Sequence, residues 1–334
     1  MSREIKILGT GRYIPKRRVE SEELDKIMGL PRGTCYKATG VQTRYWITDE
    51  TSSQMGASAS RQALERARLK PADLDVVVST CGVNEQPIPT GACLLMERLG
   101  LQGEKGIVGF DVNSSCMSFL QGLDVVSYMI QAGRYDTALI CSSDITSGGI
   151  NYADVKSCPL FGDGASAMVI QKSRDGTSRI ITSHSETFSR GSHFSEIRGG
   201  GNKLHPIKYT EKNHRDFLYE LHGRDMGRLV FQELDGFLFR AFSPIGMKAE
   251  EVIEDVSGVA MHQVSPSFVR LLRKRLNLGD KVIDCTSSYG NMLSVSVPLM
   301  IDELITSWKV SRGDRILIFG GGSGITLGTM YLQY

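Results

Sequence analysis

Asp111-Val-Asn-Ser-Ser-Cys116 and Asp284-Cys-Thr-Ser-Ser-Tyr289 share the pattern Asp-x-x-Ser-Ser in the two halves of a 334-residue chain. Each follows a short apolar run and precedes a helix-like stretch. The next strand-like segment is Tyr135-Asp-Thr-Ala-Leu-Ile-Cys-Ser-Ser143 in one half and Gly313-Asp-Arg-Ile-Leu-Ile-Phe-Gly-Gly321 in the other. Small-residue strands, Gly164 to Ile170 and Gly324 to Met330, close each half, and Leu74 to Val78 upstream answers Asp255 to Ala260. Four weak matches in one order predict a duplicated unit, with halves at about 1–172 and 173–334. Tyr289 is then the counterpart of Cys116.

Working outward, Val- and Ile-rich runs alternate with stretches such as Phe119, Leu123, Val126 and Ile130, whose spacing is helical. Alternation of this kind predicts an α/β fold with buried central sheets. Equivalent loops of pseudo-symmetric halves meet at one interface, a common place for a pocket. Residues 184–225 interrupt the rhythm. They hold five of the six histidines and Gly199-Gly-Gly201, and read as a flap, a lid or an insertion.

Composition narrows the function classes. Thirty-nine Lys and Arg against 37 Asp and Glu leave a net charge of +2, which gives no footprint for nucleic acid. Apolar residues at 41% exclude a disordered chain. No apolar stretch approaches the roughly 20 residues of a membrane span. The N-terminus runs into a strand-like segment with no signal-like apolar region. The seven cysteines are odd in number and lack C-x-x-C spacing, so neither a disulfide framework nor a structural zinc site is expected. The chain reads as cytoplasmic, without membrane or nucleic-acid partners.

Four places could carry chemistry. Cys116 sits at a strand-to-helix junction, where free N–H groups and the helix dipole favour a thiolate and can later hold an oxyanion. A small buried hydrophobe is the plain alternative. His262, in Gly258-Val-Ala-Met-His-Gln-Val-Ser-Pro266, ends an apolar strand where α/β proteins place reactive groups, or is a hydrogen-bonded structural ring. Asn291 could donate to an enolate oxygen without titrating, or simply form a Gly-Asn turn. Gly320-Gly-Gly-Ser-Gly324 fits neither a phosphate loop nor a dinucleotide loop, and is either a backbone donor site or a sharp turn. The helix from Ser267 to Leu278 sets Arg270, Arg273, Lys274 and Arg275 opposite Phe268, Leu271, Leu272 and Leu276. Its basic face suits solvent, an acidic carrier protein or coenzyme A phosphates.

Taken together, Asp111 to Cys116, Phe161-Gly-Asp-Gly-Ala165, His262-Gln263, Tyr289-Gly-Asn291 with Ser296-Val-Pro298, and Phe319-Gly-Gly-Gly322 resemble β-ketoacyl-acyl-carrier-protein synthase III, of the thiolase superfamily, over essentially the whole chain. The resemblance implies a five-layered α-β-α-β-α fold, a homodimer, an acyl-carrier-protein partner and no cofactor. It implies that Cys116 is acylated by a thioester. Malonyl-acyl carrier protein then condenses with loss of CO₂, while His262 and Asn291 stabilise its enolate, within fatty acid or related biosynthesis. Gly321 would join Cys116 in an oxyanion hole.

Arg228 would contact the carrier protein, with Lys156 and Arg270 as further basic contacts. Ile88 would sit at the acyl pocket on a loop reaching the partner subunit. A thiolase would need a second cysteine where this chain has Phe319-Gly-Gly-Gly322. Thr34, Ala38 and Val155 stand where the family usually stacks or pairs with the coenzyme A adenine, which implies a divergent member with a longer acyl group or another donor. Simple acyl transfer to O or N, or a silent subunit of a heteromeric synthase, are the alternatives.

Overall fold

The computed structural model describes residues 2–334. The main sheet of the first half has five strands, β1 (Ile5–Tyr13), β2 (Val76–Ser79), β3 (Val108–Asp111), β4 (Thr137–Asp144) and β5 (Gly164–Lys172), in the order β1-β5-β4-β2-β3. That of the second half has four, β6 (Arg179–Thr187), β7 (Gly258–Met261), β8 (Arg315–Gly322) and β9 (Thr326–Gln333), in the order β6-β9-β8-β7. Both sheets run antiparallel, antiparallel, then parallel from the first strand inward. In the place of β3 the second sheet has one parallel bridge, Val259 to Val282. The same topology thus occurs twice.

The main helices are α1 (Ser52–Ala67), α2 (Ser118–Gln131), α3 (Gly223–Phe242), α4 (Pro266–Arg275) and α5 (Ser296–Thr306). Strand periodicity sets the layers, because successive side chains leave opposite faces of a sheet. Val76 and Val78 enter a central core with Phe119, Leu123, Val126 and Ile130 of α2, and Val297, Met300 and Leu304 of α5. Val77 points the other way, into the core under α1. In the second sheet Ile316 and Ile318 face the central core, while Leu317 and Phe319 face α3 and α4. The layers therefore run α-β-α-β-α, with α2 and α5 between the sheets. Among the described residues no helix is long and apolar enough to cross a membrane.

Three local expectations are corrected. The irregular insertion is 188–222 rather than 184–225, because residues 184–187 pair with β9 and 223–225 begin α3. Its own structure is a set of 3₁₀ turns and the paired strands Ser195–Glu196 and Glu220–Leu221. On α4 the buried positions are Pro266, Val269 and Leu272, whereas Leu271 is 55% exposed. Finally, the counterpart of Cys116 is Ser294, not Tyr289. Each follows a residue with left-handed backbone, Ser115 at φ 52° and Leu293 at φ 46°, inside a 3₁₀ turn that opens α2 or α5. The short helix Thr286–Tyr289 holds the matching serines, Ser287 and Ser288, five residues before the structural equivalence at Met292 and Leu293.

Candidate active site

The turns Ser115–Met117 and Leu293–Val295 pack against each other where the halves meet. The left-handed conformation of a non-glycine residue is uphill, on the order of 1–3 kcal/mol, and persists where its surroundings impose it. At the first turn the Ser118 hydroxyl accepts from the Ser114 N–H at 2.9 Å and donates to the Ser115 carbonyl at 2.6 Å. That clasp presents Cys116 at the head of α2.

Cys116, His262 and Asn291 line one cavity of about 1080 Å³, together with Gly320 to Ser323, Lys156 and Arg228. His262 extends β7 by one residue, its N–H donating to the Phe319 carbonyl at 3.0 Å. Gly320 is needed beside it, since a Cβ there would lie 2.9 Å from both the His262 Cβ and the Met117 sulfur. The His262 Nδ1 is sealed from solvent and has no partner among the described residues, so Nε2 is the nitrogen left to the cavity. Burial pushes the ring's pKa down to about 4, so it is a neutral imidazole at neutral pH.

Asn291 is pinned by its backbone, donating to Leu160 at 2.7 Å and accepting from Gly162 at 3.1 Å. Its Oδ1 accepts from the Leu293 N–H at 2.9 Å, which orients the amide and leaves its NH₂ as the free donor.

Cys116 departs from the expected thiolate. Burial pushes the thiol up to about 12, and the nearby Asp144 carboxylate adds to the rise. Two backbone N–H groups act against it, that of Ser323 and that of Cys116 itself. The free site therefore holds a thiol, and donors stand ready for negative charge that develops later. Gly321 lines the same cavity, two residues before Ser323.

The basic residues divide. Lys156 and Arg228 are at the cavity with Arg224, and Arg228 pairs with Asp225 at 3.2 Å. Arg270 lies on the exposed side of α4 and does not line the cavity. Ile88 is 84% exposed and forms no part of the cavity within this chain. Ala38 lines the cavity, and Thr34 and Val155 do not.

Two sequence models, for 3-oxoacyl-[acyl-carrier-protein (ACP)] synthase III and for its C-terminal part, match residues 110–189 and 247–334. The chain belongs to the synthase III family. It is 29% identical over 330 residues to the β-ketoacyl-[acyl-carrier-protein] synthase III of Aquifex aeolicus, covering 98% of this chain and 99% of that one. The Clostridium acetobutylicum synthase III is 28% identical over 331 residues, covering 99% and 98%. A crystal structure of the Aquifex aeolicus synthase superposes with a TM-score of 0.87 at 27% identity, covering 99% of this chain and 100% of that one. As a synthase III family member it has the mixed α/β thiolase-type fold and falls in the acyltransferase class.

Three lining or supporting residues escaped the sequence reading, whereas Ser323 falls in the Gly320 to Gly324 segment read there as a backbone donor site. Asp144 closes β4 and is fully buried, its Oδ1 accepting from the N–H groups of Gly82 and Val83 at 2.8 and 2.9 Å. Ser294 donates to Asp144 through both its N–H and its hydroxyl, and Tyr219 lies in the irregular insertion. No spacing rule marks any of them.

Proposed function

We propose that the chain is a decarboxylating β-ketoacyl-[acyl-carrier-protein] synthase of type III. The observation that carries this reading is the convergence on one cavity of a thiol, a neutral imidazole and a carboxamide with a free NH₂.

In the first stage the Cys116 sulfur attacks a thioester carbonyl. The new S–C bond forms as the old one breaks, and the thiol proton leaves with the departing thiol. The N–H groups of Cys116, with Gly321 or Ser323, would hold the oxyanion. In the second stage malonyl-acyl carrier protein loses CO₂. Its enolate oxygen takes hydrogen bonds from His262 Nε2 and the Asn291 NH₂, and its carbon attacks the acyl group. The C–S bond breaks, and the Cys116 thiolate so released takes one proton from water to return to the thiol. Neutral donors suit this stage, because fixed dipoles in a dry site stabilise developing charge without moving a proton. The reaction so written needs no cofactor.

Lys156, Arg224 and Arg228 at the cavity would meet the acidic carrier protein or the phosphates of the thioester's carrier. A homodimer is proposed on the open edge of β3, where Val108 is 40% exposed, with Ile88 on the same half reaching into the partner.

The test is to incubate the enzyme with an acyl thioester and carboxyl-labelled malonyl-acyl carrier protein, alongside Cys116→Ala. Acyl adduct on Cys116, labelled CO₂ and β-ketoacyl-carrier product are expected from wild type alone. Acyl transfer without CO₂ would overturn the condensation.

A further inference from the structure

The cavity wall that holds Cys116 also contains a buried aromatic hydroxyl that the reaction does not use. Tyr219 is 9% exposed, belongs to the same buried cluster as Cys116, and lines the cavity. Its position is imposed from three sides. The N–H donates to the Gly149 carbonyl at 2.8 Å. The ring stacks on Phe161 with centroids 4.6 Å apart. Gly149 supplies the clearance, since a Cβ there would sit 2.9 Å from the Tyr219 Cε2.

Among the described residues nothing hydrogen-bonds the Tyr219 hydroxyl, yet its oxygen is not sealed from solvent, so it opens to the cavity. The two carboxylates whose charge it feels are already engaged. Asp144 accepts from Gly82, Val83 and Ser294. Asp163 accepts from Ile47, Thr146 and Ser147. Burial first, then Asp144, Cys116 and Asp163, all raise the phenol's pKa, so it stays protonated. A protonated hydroxyl without a protein acceptor, on a residue that lines the cavity with Cys116, can find its partner on the acyl chain itself. The same carboxylates make that place hostile to an anionic group.

Resting on the synthase reading above, we propose that Tyr219 is a specificity-determining residue, which selects acyl groups bearing an uncharged oxygen, hydroxyl or keto, over plain saturated chains and over chains ending in a carboxylate. A site with a buried polar group discriminates against the analogue that leaves it unpaired.

The experiment follows acylation of Cys116 by rapid-quench mass spectrometry. It uses butyryl, 3-hydroxybutyryl, acetoacetyl and succinyl groups, each on coenzyme A and on holo-acyl carrier protein, with wild type and Tyr219→Phe. Wild type is expected to favour 3-hydroxybutyryl or acetoacetyl over butyryl by about tenfold, with succinyl slowest, and Tyr219→Phe to compress that ratio towards one. Butyryl equal to or faster than the oxygenated groups in wild type, or an unchanged ratio in the variant, overturns the assignment while leaving the synthase reading intact. No adduct on Cys116 from any donor removes that reading, and this one with it.

Discussion

Asp144 and Ser294 are joined across the two pseudo-repeats: Asp144 Oδ2 accepts from the Ser294 N–H at 3.0 Å and from its hydroxyl at 2.6 Å. Ser294 occupies in one half the place that Cys116 occupies in the other. The carboxylate at the end of β4 therefore holds the turn that sets Asn291, while its charge falls on Cys116.

Asp144→Asn should destabilise the protein by about 1–3 kcal/mol, the range for a buried hydrogen-bonding group losing its partners. Four donors favour the carboxylate, but burial outweighs them and raises the pKa from 3.8 to about 6. A pKa raised on folding contributes stability below the unfolded value and loses it as pH rises through the folded one. The gap between wild type and variant, read from urea unfolding, should therefore be larger at pH 5 than at pH 7.5. A gap that widens with pH would mean that the ion is favoured by folding.

Alkylation separates Cys116 from an ordinary thiol. With its pKa pushed up to about 12, iodoacetamide labelling in the free enzyme should show no inflection between pH 7 and 10, while the exposed Cys93 reacts first. Peptide mass mapping reads both. Asp144→Asn should bring Cys116 labelling to lower pH, since it removes the nearby negative charge.

Asn291→Asp keeps an oxygen for the Leu293 N–H but replaces the donating NH₂ with an acceptor. The condensation rate should fall about 100-fold or more, the usual loss for one donor to developing negative charge. Acylation of Cys116, measured alone by mass spectrometry, should fall far less. An equal loss in both stages would place Asn291 in acylation.

Gly320→Ala forces a Cβ to 2.9 Å from the His262 Cβ and the Met117 sulfur. Overpacking of this kind costs about 1–3 kcal/mol. A lower urea midpoint is expected, with condensation impaired beyond acylation because His262 is displaced.

Val108→Lys places a charge on the open edge of β3. Edge charges prevent strand pairing. Sedimentation should show a dimer for wild type and a shift to monomer for the variant; an unchanged dimer would move the interface elsewhere.

Much of the fold was legible because period-two and period-3.6 patterns survive in single segments: Val76 and Val78 part from Val77, and Phe119 joins Val126. The strand orders repeat as the motif order suggested. The register between repeats was not legible. Asp-x-x-Ser-Ser aligns Tyr289 with Cys116, while the backbone aligns Ser294, and the deciding feature is a φ angle at Leu293 that no residue type announces. Asp144 and Tyr219 were hidden for a similar reason. Their importance comes from what surrounds them: donors from Gly82, Val83 and Ser294 in one case, and clearance over Gly149 in the other. Leu271 shows the limit of a helical stripe, since its neighbours Val269 and Leu272 took the core.

The central layer of α2 and α5 has an implication for how this catalyst can be taken apart. Each helix carries at its head one reactive edge, and neither sheet supplies both. Cleaving the chain in the exposed turn at Asp175-Gly176 would yield two fragments that are individually inert, with turnover returning only when the fragments re-form the shared interior.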